Sequence, residues 1–244
     1  MSLVTGTAFL AIVYILGYSY LKKEIPAWSL RGFGKLQNDW GFVYAMSVAV
    51  GYIASLAVYF NTDNNVYAMA MTGIFAAAGT AVGYSDAVTM KAPQEITDFA
   101  FRLLVPGAIL GIAFNLVPMQ GYTFFQGFPF FLNPAVDATV QMLLFLVIPT
   151  ILVFSNMGFG DVRFLYIAGW GASWWMGINS FVYIFGAAAA LQLVCSLVLG
   201  RIFNWGEMRP QKKSWLNPKG KERRATPFLP VLAITFIAGL VLAS

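Results

Sequence analysis

Two aspartates stand at the edges of runs otherwise too apolar to use a charge. Asp86 closes the run Ala77-Ala-Gly-Thr-Ala-Val-Gly-Tyr-Ser85, and Asp161 follows Met157-Gly-Phe-Gly160 at the start of another. Ionisable groups in such positions are costly and face a cavity or a partner. For Asp161, at a helix start, ordinary capping of free N–H groups is an alternative. For Asp86, at a helix C-terminal end, the dipole repels an anion, which makes it the odder residue. Two carboxylates brought close do not both ionise readily, so the pair shares a proton. The ionised member can then take a proton from water while the neutral member donates to a carbonyl oxygen, the arrangement of the aspartic proteases. The chain offers few competing chemistries. Histidine is absent, and Cys195, the one cysteine, lies in an apolar run and reads as a small buried side chain. No disulfide framework, Cys/His metal site or cofactor is expected.

The elements that must position these acids are helices in a membrane. Of 244 residues, 59% are hydrophobic and 10% charged, against roughly 25% charged in soluble domains. A helix crosses a bilayer with about 20 predominantly apolar residues. Eight runs qualify, at about 2–20, 40–60, 66–86, 102–118, 139–155, 163–179, 181–200 and 226–243. They predict an all-α polytopic protein of eight transmembrane helices. The runs are continuous rather than alternating, which argues against a barrel. The first lacks a positively charged start and is followed by Lys22 and Lys23, so it reads as a retained helix.

Charge sets the orientation. All 15 basic residues fall in alternate loops, and positive residues accumulate on the cytoplasmic side. Lys22, Lys23, Arg31 and Lys35 follow the first run; Lys91 and Arg102 follow the third; Arg163 follows the fifth; eight more, from Arg201 to Arg224, follow the seventh. The remaining loops and the tail carry none. This places both termini on the non-cytoplasmic side and both aspartates at the cytoplasmic face. The basic last loop reads as an anchor to anionic lipids, worth roughly 1 kcal/mol per basic residue, and not as a nucleic-acid site. The outer link, Met119 to Ala138, is rich in aromatics suited to the headgroup interface. It reads as a re-entrant or surface-lying segment, or as a lid over a substrate path.

Three stretches resemble the type IV prepilin peptidases, a family of GxGD membrane aspartyl proteases that includes the archaeal preflagellin peptidases. In Asp86-Ala-Val-Thr-Met-Lys91-Ala-Pro93-Gln-Glu-Ile-Thr97, residues Asp86, Lys91, Pro93 and Thr97 fall in the family's register. Gly158-Phe-Gly160-Asp161-Val-Arg163 is similar to its G-x-G-D-[VF]-K run, with Arg163 for the commoner lysine. Thr226-Pro227-Phe-Leu229-Pro230 resembles the motif opening its last span, with Leu229 where glycine is usual. The resemblance covers roughly residues 66–243. It implies a six-helix protease core at 66–244 behind two scaffold helices at 1–65, with Asp86 and Asp161 as the catalytic pair. Gly158, Gly160, Lys91, Pro93, Arg163, Pro227 and Pro230 would bind substrate or shape the site.

Each shaping residue also has a physical reading. Gly158 and Gly160 allow torsions other residues avoid and leave room for a substrate strand. Pro93 turns its segment and disfavours α conformation at Ala92. Lys91 and Arg163 either orient the carboxylates or simply belong to the positive inner face. Glu95 and Asp98 either attract a basic leader or are solvated loop charges. The tyrosines of the first two runs read as scaffold. By the resemblance, the substrates are prepilin-like or preflagellin-like proteins, whose basic leader is cut from an apolar helix at the cytoplasmic face of a prokaryotic cytoplasmic membrane. The loop after the first run has no cysteine, so the resemblance gives no support for the N-methylation linked to paired CxxC motifs in bacterial members. The alternative is a small cation- or proton-coupled transporter using the same aspartates.

Overall fold

The computed structural model describes residues 2–28, 31–114, 116, 143–144, 147–151, 159–170, 177–202, 207–209, 223–225 and 227–243. Seven helices are laid out among them: α1 (Leu3–Trp28), α2 (Gly34–Asn61), α3 (Val66–Thr89), α4 (Gln94–Ala113), α5 (Phe159–Ala168), α6 (Gly177–Ile202) and α7 (Leu229–Ala243). Three helices, α1 to α3, and the stretch Phe181–Val198 of α6 are long and apolar enough to cross a membrane. The apolar part of α7, Leu229–Leu242, is shorter. Within the basic last loop, β1 (Glu207–Arg209) pairs antiparallel with β2 (Arg223–Ala225), Met208 opposite Arg224. This small ladder is not anticipated by the apolar runs. The outer link and most of the fifth run lie outside the described residues.

Boundaries follow local chemistry. At the start of α3, Asn65 caps the helix, its side chain accepting from the Tyr67 and Ala68 N–H groups at 3.0 Å each. The turn before it uses Asp63 and Asn64 at φ 50° and 63°, residue types that tolerate the left-handed region. The fourth helix begins at Gln94, eight positions before the start of its apolar run. Pro93 ends the preceding turn there, and Glu95 lies in the first turn where the dipole favours an acid.

The helix ends sort into two groups. Asn61 donates to Val241 O at 3.1 Å, and Asn65 to Leu116 O at 2.9 Å. Gly6 packs on Val66 and Met69. The start of α1, the α2–α3 turn, the residue just beyond α4 and the end of α7 therefore share one end of the bundle. The end of α3 and the starts of α4, α5 and α7 lie at the other.

Of the helices long and apolar enough to cross a membrane, α3 is the most buried. It comes close to α2 where a Cβ on Gly51 would lie 2.7 Å from Gly73 O and 2.6 Å from the Tyr14 hydroxyl. That hydroxyl donates to Gly73 O at 3.1 Å, the close polar packing expected where small residues let helix backbones approach. On the far side, Phe75, Phe164, Phe236 and Phe181 form an aromatic cluster with centroids 5.3 to 6.5 Å apart. They join α3, α5, α7 and α6. This cluster packs the middles of α3, α5 and α7 together.

Candidate active site

Asp86 sits in the last turn of α3, only 8% exposed. Its carbonyl accepts the N–H of Met90 at 2.8 Å, and Met90 ends the helix in the left-handed conformation at φ 55°. The turn beyond is tied back: Ser85 Oγ and Thr89 Oγ1 both donate to Lys91 O, at 3.0 and 3.1 Å. Pro93 is buried behind it, and Thr97, also buried, donates to Gln94 O.

The Asp86 carboxylate faces another helix. Leu229, the first residue of α7, donates its backbone N–H to Asp86 Oδ2 at 3.2 Å. Asp86 therefore lies at the unfavourable end of its own helix and at the favourable, N-terminal end of α7, whose free N–H groups donate to an anion. The lead-in to α7 is held by Gln192 of α6, whose Nε2 donates to Pro227 O at 3.2 Å. Pro227 is buried, and Pro230 lies 3.3 Å from where a Cβ on Gly83 would be. Proline costs nothing in a first helical turn, where N–H groups have no intrahelical acceptor.

Asp161 occupies the first turn of α5, half-buried, again where the dipole favours an acid. The preceding Gly160 packs on the Asp86 side of the bundle. A Cβ there would stand 3.0 Å from Ala92 Cβ and 3.6 Å from Leu229 Cδ1. Asp86 and the Gly160–Asp161 turn thus converge on Leu229, although 75 positions separate the acids.

Several expectations change. Gly160 is helical, with no positive φ, so its value lies in the space its missing side chain leaves for Ala92 and Leu229, not in unusual torsions. Gly158 lies outside the described residues. Leu229 occupies an ordinary helical position, which a leucine takes without strain, and it serves Asp86 through a backbone group that any residue but proline carries. Lys91 extends its ammonium to Gly32, in the α1–α2 link. Arg163 reaches α4, where it pairs with Asp98 at 3.5 Å beside a hollow of about 220 Å³. Glu95 is ion-paired with Arg31, which also lies 3.8 Å from Glu24. Glu95 and Asp98 thus lie on α4 beside cations of this chain, the Asp98 side chain still 40% exposed.

Sequence reasoning passed over Asp39. It begins the apolar part of α2, half-buried, and its Oδ2 accepts the Tyr84 hydroxyl at 2.9 Å. The available signal was an acid immediately before an apolar run, the same signal that singled out Asp161. Among the described residues, no group of three or more potential metal-ligating side chains occurs. Compared with known proteins, the chain matches no family model, no curated protein and no solved structure.

Proposed function

We propose that this chain is a membrane aspartyl endopeptidase of the prepilin-peptidase kind, cutting the basic leader from prepilin-like precursors. One observation carries the reading: the buried Asp86 carboxylate holds the Leu229 N–H, and the Gly160–Asp161 turn packs on the same leucine. Asp86 and the residue before Asp161 thus meet the same leucine from distant parts of the chain, which supports pairing the two acids.

In this reading a water lies between the carboxylates. The ionised aspartate takes its proton as the water oxygen attacks the scissile carbonyl carbon, and the protonated aspartate donates to the carbonyl oxygen. Collapse of the tetrahedral intermediate breaks the C–N bond, and the leaving amine takes a proton from the pair. The helix N-termini at α5 and α7 supply fixed positive dipoles around the developing negative charge.

The membrane arrangement belongs to the same proposal. Eight spans cross a prokaryotic cytoplasmic membrane, with both termini outside and the Asp86 end inside. Support comes from Arg31, Lys91 and Arg163, which all make their contacts at the Asp86 end, whereas the 61–65 turn at the opposite end has no basic residue. Residues 1–65 act as scaffold for the core from 66 onward. Anionic lipids contact the basic inner loops.

The test is cleavage by purified protein in liposomes, using peptides with a basic leader and an apolar helix. Asp86→Asn and Asp161→Asn each lose the general acid–base contribution, about 10²- to 10⁴-fold in rate, while still inserting and folding. A serine-protease inhibitor and a metal chelator leave the rate unchanged. Normal cleavage by either variant removes the dyad.

A further inference from the structure

A groove of about 640 Å³ lies between α2, α3 and α7. Its floor includes the small residues Gly79, Gly83 and Ala87 of α3. One wall is α7, where Ile234 is 65% exposed. The Asn61–Val241 hydrogen bond draws α2 to α7 at one end. At the other end lie Ala87 and Pro230, next in sequence to Asp86 and Leu229, so the groove runs up to the candidate active site. Along α7 it extends from Pro230 to Leu242, about 18 Å at the α-helical rise.

The groove is apolar along its length, and toward its active-site end one lining residue holds an acid that lies beside the groove rather than in its lining. Tyr84 lines it, and the Tyr84 hydroxyl holds Asp39. No described basic side chain forms an ion pair with Asp39. An acyl chain would fit the apolar part, but an anionic headgroup would meet a like charge. An apolar helix with a flanking lysine or arginine satisfies both features.

We infer that this groove seats the apolar helix of the substrate, with the basic residue at the helix junction paired to Asp39. The occupant's identity rests on the proteolytic reading; the groove and its charge do not.

The experiment uses the full-length Asp161→Asn protein in phosphatidylcholine liposomes, with a benzophenone amino acid at Ile234 or at Met46 on the α2 wall. A control position is Ile12, exposed on α1. The probe is a synthetic peptide with a lysine-bearing leader and an apolar helix. Peptide adducts form preferentially at 234 and 46 and are displaced by unlabelled peptide. Asp39→Asn, or glutamine for the junction lysine, weakens peptide binding about tenfold, the scale of one charge pair. Asp39→Lys recovers adducts with a glutamate-bearing peptide. Equal labelling at all three positions, adducts to lipid alone, or adducts within the chain overturn the inference. Cleavage by the unsubstituted protein is scored in parallel. Groove adducts without cleavage contradict the protease reading and leave the groove standing; cleavage without groove adducts contradicts the groove alone.

Discussion

The backbone N–H of Leu229 donates to Asp86 Oδ2 at 3.2 Å, so the acid that ends α3 also serves the start of α7. This resolves the electrostatic oddity of an aspartate at a helix C-terminus: the anion lies against another helix's positive end. Asp86→Asn keeps an acceptor for Leu229 and preserves the fold. Asp86→Leu leaves a buried N–H without it and costs about 1–3 kcal/mol. Thermal unfolding of the two variants in one detergent checks the difference; equal melting temperatures would contradict it.

Gly160 is a packing residue. With Ala92 Cβ 3.0 Å from a Cβ at that position, Gly160→Ala overpacks the site by about 1–3 kcal/mol and lowers activity. Adding Ala92→Gly relieves the contact. A double-mutant cycle is expected to show recovery beyond additivity, and strict additivity would mean the two do not touch.

Met90 ends α3 in a left-handed conformation that costs a side-chain-bearing residue roughly 1–2 kcal/mol. Met90→Gly is therefore expected to stabilise the protein by about 1 kcal/mol, read as a rise in unfolding midpoint. A fall would show that the methionine's packing outweighs its backbone strain.

Two glycines of α2 make opposite predictions. A Cβ on Gly51 meets Gly73 O at 2.7 Å, a backbone atom that cannot swing aside, whereas a Cβ on Gly41 meets nothing within 4 Å. Gly51→Ala is expected to destabilise by about 1–3 kcal/mol, and Gly41→Ala to stabilise by about 0.5–1 kcal/mol. Denaturant titration of both variants compares them directly.

Sequence pattern made some of this arrangement visible and concealed the rest for definite reasons. The apolar runs located α1, α2, α3 and the middle of α6, because a helix needing no water leaves an uninterrupted record. The start of α4 was missed because its first two turns carry Glu95 and Asp98, which a hydropathy run discards. Asp86 stood out as an acid at the wrong end of a helix, but its partner did not. The partner is a main-chain N–H 143 positions away, and backbone donors leave no trace in residue type. For Gly160 the sequence offered both torsional freedom and missing bulk, which look identical in residue type; the helical backbone leaves the second, with Ala92 and Leu229 beside it. Asp39 was overlooked because its partner, Tyr84, belongs to a different helix.

The most direct test incubates the purified protein in liposomes with a peptide carrying a basic leader and an apolar helix, and maps any cut by mass spectrometry. A single cut at the junction of leader and helix, made by the unsubstituted chain and lost in both Asp86→Asn and Asp161→Asn, is the predicted result. A cut that persists in either variant, or no cut together with ion uptake that depends on Asp86, would contradict the account.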